Sequence, residues 1–173
     1  MAASPVLLML LRHGIAEALS ASRPDEDRRL TGEGKRRVRE VAAGMRALEL
    51  PVEAILTSPL RRAEETARIV AEVYERIGGL EVTRALAPGS GADKVFAALS
   101  SCTSAAGVVL VGHEPDLGEL ASTLLAGTPG LLHLQLKKAG LVGITVASLP
   151  PRGAGILEFL LTPGQLRRIA RGA

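Results

Sequence analysis

Val6-Leu7-Leu8-Met9-Leu10-Leu11-Arg12-His13-Gly14 is the stretch that decides the fold. Consecutive apolar residues without alternation predict a strand buried on both faces, the kind found in parallel sheets covered by helices. The run stops at a guanidinium, an imidazole and a glycine. In open α/β sheets ligands lie beyond the carboxyl ends of the strands, so this strand delivers a polar cluster to a crevice. Arg12 offers a planar fork of donors suited to phosphate or carboxylate, and His13 can serve as nucleophile or acid–base group. Gly14 allows a sharp turn and close approach of the backbone to a ligand. The triplet alone fits equally a capped strand with an incidental surface histidine.

The same junction recurs along the chain. Ala54 to Thr57 predicts a second buried strand, followed at once by Ser58-Pro59-Leu60-Arg61-Arg62-Ala63-Glu64-Glu65-Thr66. Ser58 is expected to cap a helix with Pro59 at its first position, running to about Tyr74 or Ile77. Free N–H groups and arginines in that first turn suit an anion. Val108 to Val111 is a third continuous apolar run, ending in Gly112-His113-Glu114-Pro115 before a helix from about Asp116, its expected cap, to Leu125.

Between these junctions, the polar segment to Arg29 lacks apolar periodicity and reads as a loop near the crevice. Thr31 then caps a helix to about Leu48, with Val38, Val41, Ala42, Met45 and Leu48 on one face. Gly78-Gly79 is expected to break the second helix, Glu81 to Ala85 to form a short strand, and Asp93 to Leu99 a short helix. Gly89 and Gly91 lack the Gly-Lys-Ser/Thr ending of a phosphate-cradling loop and read as turns. In the last third, alternation over Leu132 to Lys137 predicts a strand with His133 facing solvent, Leu141 to Ala147 and Ile156 to Leu161 predict two more, and basic Gln165 to Ala173 reads as a frayed helix.

Composition narrows the classes. The 173 residues are 47% hydrophobic and 23% charged, with aromatics limited to Phe96, Phe159 and Tyr74, so an aliphatic core is expected and base-stacking nucleic-acid modules are not. The formal charge of +3 is spread along the chain, and the apolar run at the N-terminus is too short to span a membrane. The single cysteine, Cys102, excludes an intrachain disulfide framework or a thiolate metal cluster. Without a convincing secretory leader, a cytoplasmic protein without nucleic-acid or membrane partners is expected.

Two of the three histidines, His13 and His113, therefore stand at the carboxyl ends of different predicted strands. With Arg12 and an arginine from those after Ser58, one crevice is expected to hold two imidazoles and two guanidiniums. Such a site suits a phosphoryl group, whose equatorial oxygens the donors stabilise while one imidazole attacks in line.

Leu11-Arg12-His13-Gly14, Leu30-Thr31-x-x-Gly34, Ser58-Pro59-Leu60-x-Arg62-Ala63-x-x-Thr66 and Val111-Gly112-His113-Glu114-Pro115, in this order and spacing, resemble the histidine phosphatase superfamily. The short chain and the Gly-His-Glu-Pro sequence are most similar to its SixA-type phosphohistidine phosphatases. The resemblance implies one domain over 1–173 with an α/β fold, a central mostly parallel sheet flanked by helices on both faces, as in phosphoglycerate mutase-like proteins. It implies His13 as the phosphorylated nucleophile, His113 as hydrogen-bond donor to the phosphoryl group, and Arg12 and Arg62 as clamps, with Gly14 and Ser58 at the substrate and Arg61 exposed. It also implies no metal and no cofactor.

The implied reaction is hydrolysis of phosphohistidine in a protein. Alternatives are a phosphatase for small phosphomonoesters and, from another class, a phosphate- or protein-binding module without turnover. Larger members carry a glutamate general acid in an insertion that here contains only Glu81, and smaller ones an aspartate after Arg-His-Gly where this chain has Ile15. Glu17, Glu81, Asp93, Glu114 and Asp116 are the carboxylates considered for that role, Glu114 first because it adjoins His113.

Overall fold

Strand β1 (Val6–Arg12) is the spine, and its residues explain why. Leu8 and Leu10 enter one hydrophobic core and Met9 and Leu11 the other, so a strand with two buried faces needs apolar residues throughout. The computed structural model describes residues 5–75 and 79–173. The remaining elements are α1 (Gly32–Ala47), β2 (Ala54–Thr57), α2 (Arg61–Tyr74), β3 (Gly79–Val82), α3 (Ala92–Ala98), β4 (Gly107–Gly112), α4 (Asp116–Ala126), β5 (Leu141–Val146), β6 (Ile156–Leu161) and α5 (Pro163–Gly172). No helix among the described residues is long and apolar enough to cross a membrane.

The six strands lie in the order β3-β2-β4-β1-β5-β6. β3, β2, β4 and β1 are mutually parallel, while β5 runs antiparallel to both β1 and β6. Helices α1, α2 and α5 contribute Val38, Val70 and Leu166 to the core on one face; α3 and α4 contribute Val95 and Leu120 to the core on the other. Chain leaving β1 thus crosses to one face and chain leaving the adjacent β4 to the opposite face. That divergence opens a crevice at their carboxyl ends. The register Arg12↔Gly112 brings the next residues, His13 and His113, to the same edge.

Several local expectations are corrected. α2 begins at Arg61, two residues beyond the proline expected to open it, because Leu60 is extended and Ser58 uses its hydroxyl elsewhere. Its expected continuation to Ile77 and the break at Gly78 lie outside the described residues. α4 follows Pro115 without a side-chain cap, since Asp116 accepts instead from the Gly89 N–H. Residues 83–85 leave the sheet, with Arg84–Leu86 forming a single 3₁₀ turn.

The stretch from Leu132 to Lys137 forms no strand: both edges of β1 are already paired, and its backbone groups bond to side chains. His133 is exposed there. The C-terminal helix α5 is no frayed end. Thr162 and Gln165 make a reciprocal capping box, Leu166 is buried against α1, and Arg167 pairs with Glu40.

Candidate active site

The crevice gathers side chains from β1, β2, β4, α2 and one loop. His13 is 6% exposed, and its Nδ1 lies 2.8 Å from the Gly14 carbonyl. A carbonyl only accepts, so Nδ1 carries the proton and Nε2 keeps its lone pair. The His113 ring stands 5.1 Å away, tilted by 52°, and the Arg62 Nε–H approaches His13 Nε2 at a long 3.4 Å. Burial first, then the neighbouring cations and His113, push the His13 imidazole down to about 3 against the Gly14 carbonyl, which favours the protonated ring. Burial and Arg62 push His113 down to about 4. Both rings are neutral at pH 7, as a nitrogen nucleophile requires.

Ser58 and Gly14 take different parts from those expected. The Ser58 hydroxyl is fully buried, 2.8 Å from His113 Nε2, and accepts from the Leu60 N–H, so it orients the imidazole. The Gly14 amide donates to Thr66 Oγ1 at 3.1 Å, whose own hydroxyl donates to the Arg62 carbonyl. Gly14 therefore links β1 to α2 and has no free amide for a ligand. Its glycine character answers to packing: a Cβ would sit 2.5 Å from Val38 Cγ2 on α1.

Arg62 is buried while Arg61, its neighbour in sequence, faces solvent and pairs with Glu65 at 3.6 Å. Arg12 is half-buried and donates from Nη1 to the Leu136 carbonyl at 2.8 Å. Arg12 Nε and His113 Nδ1 are buried without a protein partner among the described residues. Two unmatched nitrogens beside two neutral imidazoles fit a tetrahedral oxyanion.

Asp25 is the residue the sequence reading missed. The segment between Ala16 and Leu30, bridged at its neck, folds back so that Asp25 accepts from Arg62 through its carbonyl, 2.8 Å, and its carboxylate, 3.0 Å. Arg28 holds the other carboxylate oxygen at 2.7 Å. Despite some burial, the two guanidiniums hold this carboxyl below its usual range. An ionised carboxylate is a poor proton donor.

The carboxylates considered from sequence have other partners or surroundings. Glu17 pairs with Arg23, Glu81 is exposed on β3, and Asp116 is engaged with Gly89. Glu114, the first choice as acid, accepts from the Leu136 N–H at 2.7 Å and is committed to the backbone. Asp93, Asp116 and Glu119 line a cleft of about 310 Å³ beside His113, walled by Leu86, Val95 and Leu117. Among the described residues, no lysine or arginine lines it. Among the described residues, no group of three or more His, Cys, Asp or Glu side chains could hold a metal ion.

Comparison with known proteins identifies the family. The family model of the histidine phosphatase superfamily (branch 1) matches residues 8–86. A Picosynechococcus protein described as uncharacterised is 43% identical over 139 residues, 79% of this chain and 83% of that protein. The phosphohistidine phosphatase SixA of Escherichia coli is 28% identical over 163 residues, covering 92% of this chain and 96% of SixA.

The chain belongs to the histidine phosphatase superfamily.

Within that superfamily it is SixA-type, and its fold is that of histidine phosphatases. A solved SixA complexed with tungstate superposes with a TM-score of 0.81 at 26% identity, covering 93% of this chain and 99% of that one. The α-ribazole phosphatase of Shigella flexneri superposes with a TM-score of 0.72 at 16% identity over 91% of this chain and 97% of that one. At that identity it shows the shared fold alone. The chain is thus a histidine phosphatase-family hydrolase, and its candidate site is the constellation at the ends of β1, β2 and β4.

Proposed function

We propose that this histidine phosphatase hydrolyses phosphohistidine in a protein, without a metal or organic cofactor, through a phosphorylated His13. One observation carries the covalent step: the Gly14 carbonyl fixes the His13 proton on Nδ1, leaving the Nε2 lone pair beside Arg62 and His113. In the first step Nε2 bonds to phosphorus as the bond from phosphorus to the substrate's ring nitrogen breaks, and that nitrogen takes a proton from solvent. Arg12, Arg62 and the unmatched Nδ1 of His113 hold the equatorial oxygens. Water then attacks phosphorus, inorganic phosphate leaves, and His13 recovers its lone pair.

The choice of phosphohistidine rests on the leaving group. General-acid help is typically worth roughly 10²–10⁴-fold, and the carboxylate that reaches the clamp, Asp25, is held ionised by Arg62 and Arg28. An imidazole leaves readily and is protonated by solvent; a serine alkoxide does not. The adjoining cleft supports the same substrate, since apolar walls and three carboxylates suit a neutral or basic protein surface and repel a second phosphate. Small activated esters remain substrates on this reading, with their rates set by leaving-group acidity.

A parallel assay of a phosphohistidine protein, phosphoserine and a series of aryl phosphates tests it. We expect the phosphohistidine protein to be strongly preferred and kcat/KM for the aryl series to rise steeply as leaving-group pKa falls. Acid quenching during turnover of labelled substrate should trap an acid-labile, alkali-stable adduct that His13→Ala abolishes, and chelators should leave the rate intact. A flat dependence on leaving-group pKa, or labelling that survives His13→Ala, would count against the proposal.

A further inference from the structure

We infer that Glu114 is a positioning residue that aims the Arg12 guanidinium through the backbone of Leu136. The inference rests on Arg12 being a phosphate clamp. Among the described residues, the one hydrogen bond made by the Arg12 side chain runs from Nη1 to the Leu136 carbonyl at 2.8 Å. That carbonyl therefore decides where the remaining donors of the fork point, including the buried Nε with no protein partner. Leu136 sits in an irregular segment with no sheet ladder to fix it, and its N–H is held by Glu114 Oε1 at 2.7 Å. Hydrogen bonds on both sides of one α-carbon restrict the φ and ψ of that residue, and so the direction of its carbonyl.

Two further features hold the same segment. The Leu136 side chain is 1% exposed in the core beneath α4. Gly118 on α4 lets the segment lie close: a Cβ there would fall 2.3 Å from the Leu134 carbonyl oxygen and 3.1 Å from Glu114 Oε2. Glu114 thus lies between the first turn of α4 and the segment it clamps, one residue after His113. A carboxylate accepting from a backbone N–H makes a charge-assisted bond, stronger than a neutral acceptor would give. The two strands that carry the histidines are in this way joined twice: once through the sheet, and once through Glu114, Leu136 and Arg12.

Tungstate affinity, measured by calorimetry, and kcat/KM for an aryl phosphate read this without a protein substrate, so the result is independent of whether phosphohistidine is the natural one. Glu114→Ala should weaken tungstate binding and lower kcat/KM each by about tenfold, the size of one misdirected charge-assisted contact. Glu114→Gln keeps an acceptor oxygen and should recover most of the loss. In an Arg12→Ala background, Glu114→Ala should cost nothing further, a non-additivity that a general loss of stability does not produce. Gly118→Ala pushes the segment from its other side and should show the same non-additivity, providing a second route if Glu114→Ala folds poorly. Wild-type tungstate affinity in Glu114→Ala, failure of the glutamine to restore it, or losses that multiply in the double variant would overturn the inference. An Arg12→Ala variant that binds tungstate normally would overturn it as well by removing Arg12 as a clamp, while leaving His13 chemistry untouched.

Discussion

Adjacent arginines at the start of α2 have opposite environments. Arg62 is buried with its Nε–H turned to His13, whereas Arg61 is solvated and paired with Glu65 on the next turn. Arg62→Ala should lower kcat/KM by roughly 10²–10³-fold, about 3–4 kcal/mol of transition-state stabilisation, as removal of one oxyanion donor does. Arg61→Ala should change kcat/KM less than twofold, because exposed ion pairs contribute on the order of 0–1 kcal/mol. Steady-state kinetics on one aryl phosphate checks both, and the reverse ranking would mean that α2 presents its other face to the substrate. This contrast was legible in sequence, since the Ser58-to-Thr66 pattern already distinguished the two arginines. The functions of Ser58 and Gly14 were not. Both are occupied by partners far along the chain, His113 and Thr66, that spacing alone does not reveal.

At the scale of elements, a continuous apolar run was a reliable guide where a strand has helices on both faces, as in β1 and β4. Thr31 was equally readable, because its hydroxyl caps α1 by accepting from Gly34. Alternation misled at Leu132 to Lys137. Its polar backbone is satisfied by Ser122, Glu114 and Arg12, an arrangement that leaves no mark on hydrophobic periodicity. The loop bearing Asp25 was legible as a loop near the crevice, but the contact of Asp25 was not, for a related reason: its partner is Arg62, 37 residues away.

That loop makes a prediction of its own. The Asp25 carboxylate occupies Arg62 donors that a phosphoryl oxygen would need under the proposed mechanism, and it is itself about half exposed, so its competition is screened by water. Asp25→Ala should therefore tighten vanadate inhibition only a few-fold. Weaker inhibition in that variant would instead make Asp25 a support that holds Arg62 ready for substrate.

For the whole molecule, the cost of assembling the site appears in its acid stability. Histidine in an unfolded chain titrates near 6.5. In the folded protein, burial pushes His13 down to about 3 and His113 to about 4, with nearby guanidiniums adding to both shifts. Between those limits the unfolded chain binds protons that the native protein refuses, so unfolding becomes easier as pH falls from about 6.5 toward 4. Each histidine should contribute a slope of about 1.4 kcal/mol per pH unit in that window. Above pH 7 both rings are neutral in either state and the slope due to them vanishes. Below pH 4 the depressed carboxyl groups of Asp25 and Glu40 add acid sensitivity of the same sign. Urea unfolding at pH 7, 6 and 5 measures the effect directly. Stability should drop steeply over this range, His13→Ala and His113→Ala should each remove part of the slope, and the double variant should be nearly flat down to pH 5. A wild-type protein equally stable at pH 7 and pH 5 would mean that the imidazoles are far better solvated than their burial between β1, β4 and α2 implies.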